Sequence, residues 1–141
     1  MTRILIAIDG SEPSEKALDF ALDRHADADL VAVAVLDPTA YVQGSADLIL
    51  PDTESWREDA EEGVKAVLES AADRAGTHGI DLETEMVYGA PARSIVEYAD
   101  DHDVDQIIVG SHGRDGVSRV LLGSVAETVV RRSSVPVTVV R

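Results

Sequence analysis

Gly110, Gly113, Gly123 and Ser124 are residues of the types that hold phosphate. They fall in the segment VGSHGRDGVSRVLLGSVAE, residues 109–127. Gly110 and Gly113 permit backbone conformations with positive φ and the close approach of a ligand. Gly123-Ser124 precedes an apolar run with helical spacing. A helix starting there presents unpaired N–H groups and the positive end of its dipole to an anion. Ser124 adds a hydroxyl. The segment is not a Walker A loop, because no Gly-Lys-Ser/Thr follows, and its glycine spacing is not that of the dinucleotide fingerprint.

Asp9, in the turn Asp9-Gly10-Ser11, is the second candidate. One carboxylate does not make an acid–base mechanism. It can hydrogen-bond a hydroxylated ligand or cap the turn before a helix. Asp37 and Asp115 could help hold Mg²⁺ through water. Arg114, Arg119 and His112 could offset phosphate charge. No histidine stands at a recognisable spacing from Ser11, Ser14 or Ser118, so the spacing suggests no nucleophile system.

The elements that must position these residues alternate in type. Residues 3–9 (RILIAID), 29–36 (DLVAVAVL) and 105–109 (DQIIV) are short β-branched runs suited to buried strands. Residues 81–88 (DLETEMVY) alternate, which suits a half-exposed strand near a sheet edge. Residues 136–140 (PVTVV) close the pattern. Helical spacing appears from Ser11 or Ser14, over 53–75, after Pro91 and from Gly123-Ser124 to about Arg132. Trp56 lies on the apolar stripe of the second of these helices, a core position. Residues 39–51 read as an irregular connection. The order βαβαβαβαβ implies a single α/β domain over 1–141, with an open parallel five-stranded sheet and helices on both faces. On such sheets ligands sit beyond the carboxyl ends of the strands, where strand order reverses. If the first and fourth strands are neighbours there, Asp9 and the glycine segment face one crevice.

The composition narrows the setting. The chain has 27 acidic and 12 basic residues and a net charge of -15, with only two lysines, Lys16 and Lys65. Such a surface repels nucleic acid and anionic membrane. It suits a high-salt cytoplasm, where ions screen the self-repulsion. There is no cysteine, no long apolar run and no signal-peptide pattern at the N-terminus, so a cytoplasmic location is expected. The run 135–140 is almost wholly apolar and comes last, which suits a sheet edge that a second copy covers.

With these residues in place, the sequence resembles the universal stress protein family. The motif of its nucleotide-binding members is Gly, two residues, Gly, nine residues, Gly, then Ser or Thr. Here it is Gly110, Gly113, Gly123 and Ser124. The opening ILIAIDGSEPSEKAL and the closing SVPVTVVR are also similar, so the resemblance spans the chain. It implies the strand order 3-2-1-4-5 and a homodimer. It implies that Asp9 holds the ribose hydroxyls and that Val35 meets adenine through its backbone. It assigns phosphate to Gly110, Ser111, Gly113, Gly123, Ser124 and Val125. The implied ligand is ATP, ADP or AMP, with Mg²⁺ as a candidate companion. One departure is Ala126, where some members carry a hydroxyl. The implied role is regulatory, in stress response, with little or no turnover. A slow ATP hydrolase or phosphotransferase on the same site, or a dimeric interaction protein without nucleotide, are the alternatives.

Overall fold

The computed structural model describes residues 1–39, 53–112 and 122–141, with the backbone alone at 53–55. The expected irregular connection therefore lies almost wholly outside the described residues, and Gly113, Arg114, Asp115, Ser118 and Arg119 lie outside them entirely.

The elements run β1 (Arg3–Ala7), α1 (Glu12–Arg24), β2 (Asp29–Leu36), α2 (Thr53–Gly76), β3 (Glu83–Tyr88), α3 (Pro91–Asp101), β4 (Gln106–Gly110), α4 (Ser124–Arg132) and β5 (Val137–Val140). All strand pairs are parallel, and the sheet order is β3-β2-β1-β4-β5. Both the parallel sheet and the implied order are therefore as expected. The boundaries move by a residue or two. β1 stops at Ala7 rather than Asp9, although Ile8 still donates its N–H to the Val33 carbonyl at 3.0 Å. β4 extends to Gly110.

The alternation of β1 explains the two layers. Ile4 and Ile6 pack with α1 and α2, alongside Leu18, Leu22, Leu68 and Ala71. Leu5 points the other way, with Val31, Val33, Ile107 and Val109, under α3 and α4. A strand covered on both faces reads as a continuous apolar run, which is what ILIA, residues 4–7 of β1, is. β3 is half-exposed along its length and lies at the edge, as its alternating sequence requires.

Charge pairs brace the end of the sheet opposite the strands' carboxyl termini. The Arg3 guanidinium bonds Asp29 at 2.7 Å and Glu83 at 3.0 Å, spanning β1, β2 and β3. Its backbone N–H donates to the Asp105 carboxylate at 2.8 Å. Arg74 on α2 grips Asp19 on α1 through two bonds of 2.6 and 2.8 Å. Exposed pairs of this kind contribute up to about 1 kcal/mol each.

Candidate phosphate and nucleoside site

The order β2-β1-β4 places a reversal between β1 and β4, because the chain leaves β1 toward one side of the sheet and returns on the other. Three segments meet beyond it: the turn after β1, the end of β2 and the end of β4.

The first turn is held from within. The Asp9 carboxylate accepts the Ser11 backbone N–H at 2.9 Å and also bonds the Ser11 hydroxyl. Ser11 caps α1, its hydroxyl accepting the Ser14 N–H at 3.3 Å. The buried Ser14 hydroxyl donates to the Ser11 carbonyl and accepts the Asp9 N–H, at 3.0 and 3.2 Å. Gly10 has φ 82°, a conformation that costs a side-chain-bearing residue about 1 kcal/mol or more. Asp9 therefore does cap its turn, which is the plainer of its two expected roles.

Val35 is positioned by parity. In a parallel ladder the N–H and C=O of one residue point to the same neighbour, and those of the next residue to the other. The Val33 carbonyl receives Ile8 from the β1 side, and the Leu36 carbonyl receives Gly89 from the β3 side, each at 3.0 Å. The backbone groups of Val35 thus face the β1 side. β1 has already ended there, so they face the crevice.

At the end of β4 the expected roles divide. Gly110 does not adopt positive φ. The close approach it permits is by protein: a Cβ there would lie 2.6 Å from the Pro13 carbonyl oxygen of α1. The Ser111 N–H donates to the Val140 carbonyl at 2.9 Å, and the Gly123 N–H donates to the Ser111 carbonyl. These two amides are engaged within the protein, and their bonds fix the start of α4 against the end of β4.

That helix start is the part suited to an anion. Gly123 is the N-cap of α4, and among the described residues no side chain caps it. The first helical return bond runs from the Glu127 N–H to the Gly123 carbonyl at 2.9 Å, so the N–H groups of Ser124, Val125 and Ala126 precede the helical ladder. By contrast α1 begins beside the same crevice but is capped by Ser11. α3 also lacks a side-chain cap, but it starts at the outer strand β3, and Pro91 removes one N–H from its first turn. Ala126 is 4% exposed and packs in the core with Val129 and Val109. Its side chain faces inward, so a hydroxyl at this position would be buried. Glu127, in the first turn of α4, opposes an anion, and Arg131 pairs with it at 2.9 Å.

Sequence reasoning missed one contact. The Ser111 hydroxyl lies 3.2 Å from His112 Nδ1. The residues are adjacent, and only the end of the strand brings their side chains together. Among the described residues there is no group of three or more His, Asp or Glu placed to hold a metal. The Asp37 carboxylate accepts the N–H and hydroxyl of Thr39 at 2.9 and 2.7 Å. A separate cleft of about 240 Å³ opens between α1 and α2, bordered by Gly10, Ser14, Ala71 and Arg74. It is smaller than the roughly 300–1,000 Å³ of ordinary ligand sites. It lies on the α1–α2 side of the sheet, whereas α4 covers the other side.

A five-stranded parallel sheet of this order, with a glycine N-cap at its switch point, defines a small α/β protein of the doubly wound kind. The model of the universal stress protein family matches residues 1–141, and the chain belongs to that family. Universal stress protein MJ0531 of Methanocaldococcus jannaschii is 37% identical over 99% of this chain and 81% of its own length. The solved structure of MJ0577, from the same organism, superposes with a TM-score of 0.83 at 30% identity, covering 99% of this chain and 94% of the other. A universal stress protein solved in complex with cAMP gives a TM-score of 0.70 at 30% identity, covering 99% and 96%. Among the described residues no helix is long and apolar enough to cross a membrane.

Proposed function

We propose that this chain binds an adenine nucleotide of the ATP, ADP and AMP series, and uses occupancy rather than turnover to regulate a stress response. The observation that carries this reading is the start of α4, where Gly123 supplies no side-chain cap of its own and three first-turn amides lie beyond β4. Ser124 and Val125 bind phosphate there. The Val35 backbone, turned toward the crevice, reads adenine. Asp9 takes the ribose hydroxyls while it holds its own turn. A relative 30% identical to this chain was solved with cAMP, an adenine nucleotide, which supports the ligand class. When bound, ATP would supply the phosphate charge that the amides neutralise, and Mg²⁺ would accompany it.

Gly123→Asp tests this. Gly123 has φ -70° and ψ 166°, which any residue adopts. An Asp there caps the helix itself and sets a carboxylate where phosphate should sit, gaining a few tenths of a kcal/mol of stability. The expected result of calorimetric titration is ATP binding by the wild type and none by a variant that melts no lower. Equal ATP affinity in both would overturn the assignment. A wild type that binds no adenine nucleotide would overturn the function.

A further inference from the structure

We propose that salt gates the nucleotide site: rising ionic strength tightens its hold on nucleotide phosphates, and Glu127 is the local carboxylate that sets the effect. This rests on the nucleotide reading above and goes further by naming what regulates occupancy.

Three observations carry it. The proposed phosphate donors are neutral backbone amides, and the exposed Glu127 stands in the same first turn of α4. A carboxylate there opposes an incoming phosphate, whereas a site built on arginine or lysine attracts one. Second, cations on the helices α1, α2 and α4 face carboxylates of the protein itself. Arg131 on α4 pairs with Glu127 at 2.9 Å. Lys16 on α1 stands 3.8 Å from Glu12. Arg74 on α2 holds Asp19 at 2.6 Å and reaches Glu15 at 3.7 Å. Third, the whole chain carries a net charge of -15, a total that already includes Arg114 and Arg119.

Attraction and repulsion then differ in range. Hydrogen bonds from the α4 amides act at contact, where salt screens them little. Repulsion between the ligand and the acidic surface acts over the Debye length, about 10 Å at 0.1 M salt and about 3 Å at 1 M. Added KCl therefore removes the repulsion and leaves the bonds. Affinity rises with salt, the reverse of a site that depends on exposed cations. The effect grows with ligand charge, from AMP through ADP to ATP. Occupancy then reports the ionic strength around the protein.

The experiment titrates the full chain calorimetrically with AMP, ADP and ATP, without divalent cations, from about 0.1 M to about 1 M KCl. Thermal melting in the same buffers checks that the protein is folded at each point. The expected result is an ATP affinity that rises roughly tenfold across the range, with a smaller rise for ADP and a smaller one again for AMP. Glu127→Gln should bind ATP roughly threefold more tightly than wild type at the low-salt end and equally at the high-salt end. Arg131→Gln, which takes the cation from Glu127, should bind ATP more weakly at low salt and equally at high salt. An ATP affinity that is flat or falls with KCl overturns the gating and leaves the nucleotide reading intact. Equal slopes for AMP and ATP also overturn it, because salt would then be acting on the fold. A Glu127→Gln affinity equal to wild type at low salt overturns the role of that carboxylate. Failure of all three nucleotides to bind at any salt concentration overturns the nucleotide reading itself.

Discussion

At the scale of single residues, Tyr98 shows what burial does to a side chain that spacing alone undervalues. It is 6% exposed on the inner face of α3, with its ring stacked on His102 at 3.8 Å. Positions 95, 98 and 99 have the spacing of one helix face, and Tyr98 is buried there with Ile95 and Ala99. Burial raises its pKa above the ordinary value, the Glu85 charge adds to this, and the neighbouring Arg3 works against it. The folded state therefore holds the phenol proton more tightly than the unfolded state. That contribution is complete below pH about 10 and is lost as pH rises through the raised folded value. Tyr98→Phe should flatten the alkaline decline in stability, as read by urea midpoints above pH 10. An unchanged slope would contradict this. Asp9 teaches the opposite lesson. The turn it caps was legible from Asp-Gly-Ser, but the same pattern serves a ligand and a cap equally, and the structure supplies the cap.

At the scale of elements, strands and helices were legible because each is covered on a predictable face. The apolar runs of β1, β2 and β4 belong to strands buried on both sides, and the alternation of β3 to an edge. What could not be read was which elements touch. Gly110 looked like a ligand glycine because it stands in a glycine-rich segment. Its neighbour is the first turn of α1, nearly a hundred residues earlier in the chain, and only folding brings them together. Gly110→Ala must push Pro13 away and should destabilise the protein by about 1–3 kcal/mol, whether or not nucleotide is present. Thermal unfolding checks this, and a loss confined to the nucleotide-bound form would contradict it. The helix starts divide in a comparable way. Ser11 and Ser14 were both candidate starts of α1 and Ser11 takes the cap, whereas the engagement of the Ser111 and Gly123 amides depends on the register of β4 with β5.

At the scale of the whole molecule, two expectations concern surfaces rather than contacts. The net charge of -15 implies self-repulsion that salt relieves, with the Debye length falling from about 10 Å at 0.1 M to about 3 Å at 1 M. The melting temperature should therefore continue to rise in KCl beyond 1 M, and a flat response would remove the high-salt reading. β5 is the outer strand beside β4 and is only partly buried, with Val130 exposed on the adjoining helix. An edge of this composition suits pairing with a second copy about a two-fold axis. Light scattering should give a dimer mass for the wild type and a monomer mass for Val139→Lys. A monomeric wild type would refute the arrangement. The bond from the Ser111 N–H to the Val140 carbonyl carries this reasoning into practice. Val140 is stitched directly to the residue that follows β4, so β5 and the start of α4 share one backbone anchor. Removing Val140 leaves a backbone donor without its acceptor at the mouth of the crevice. A variant cut there that handles nucleotide poorly would then report a lost brace rather than a lost ligand contact.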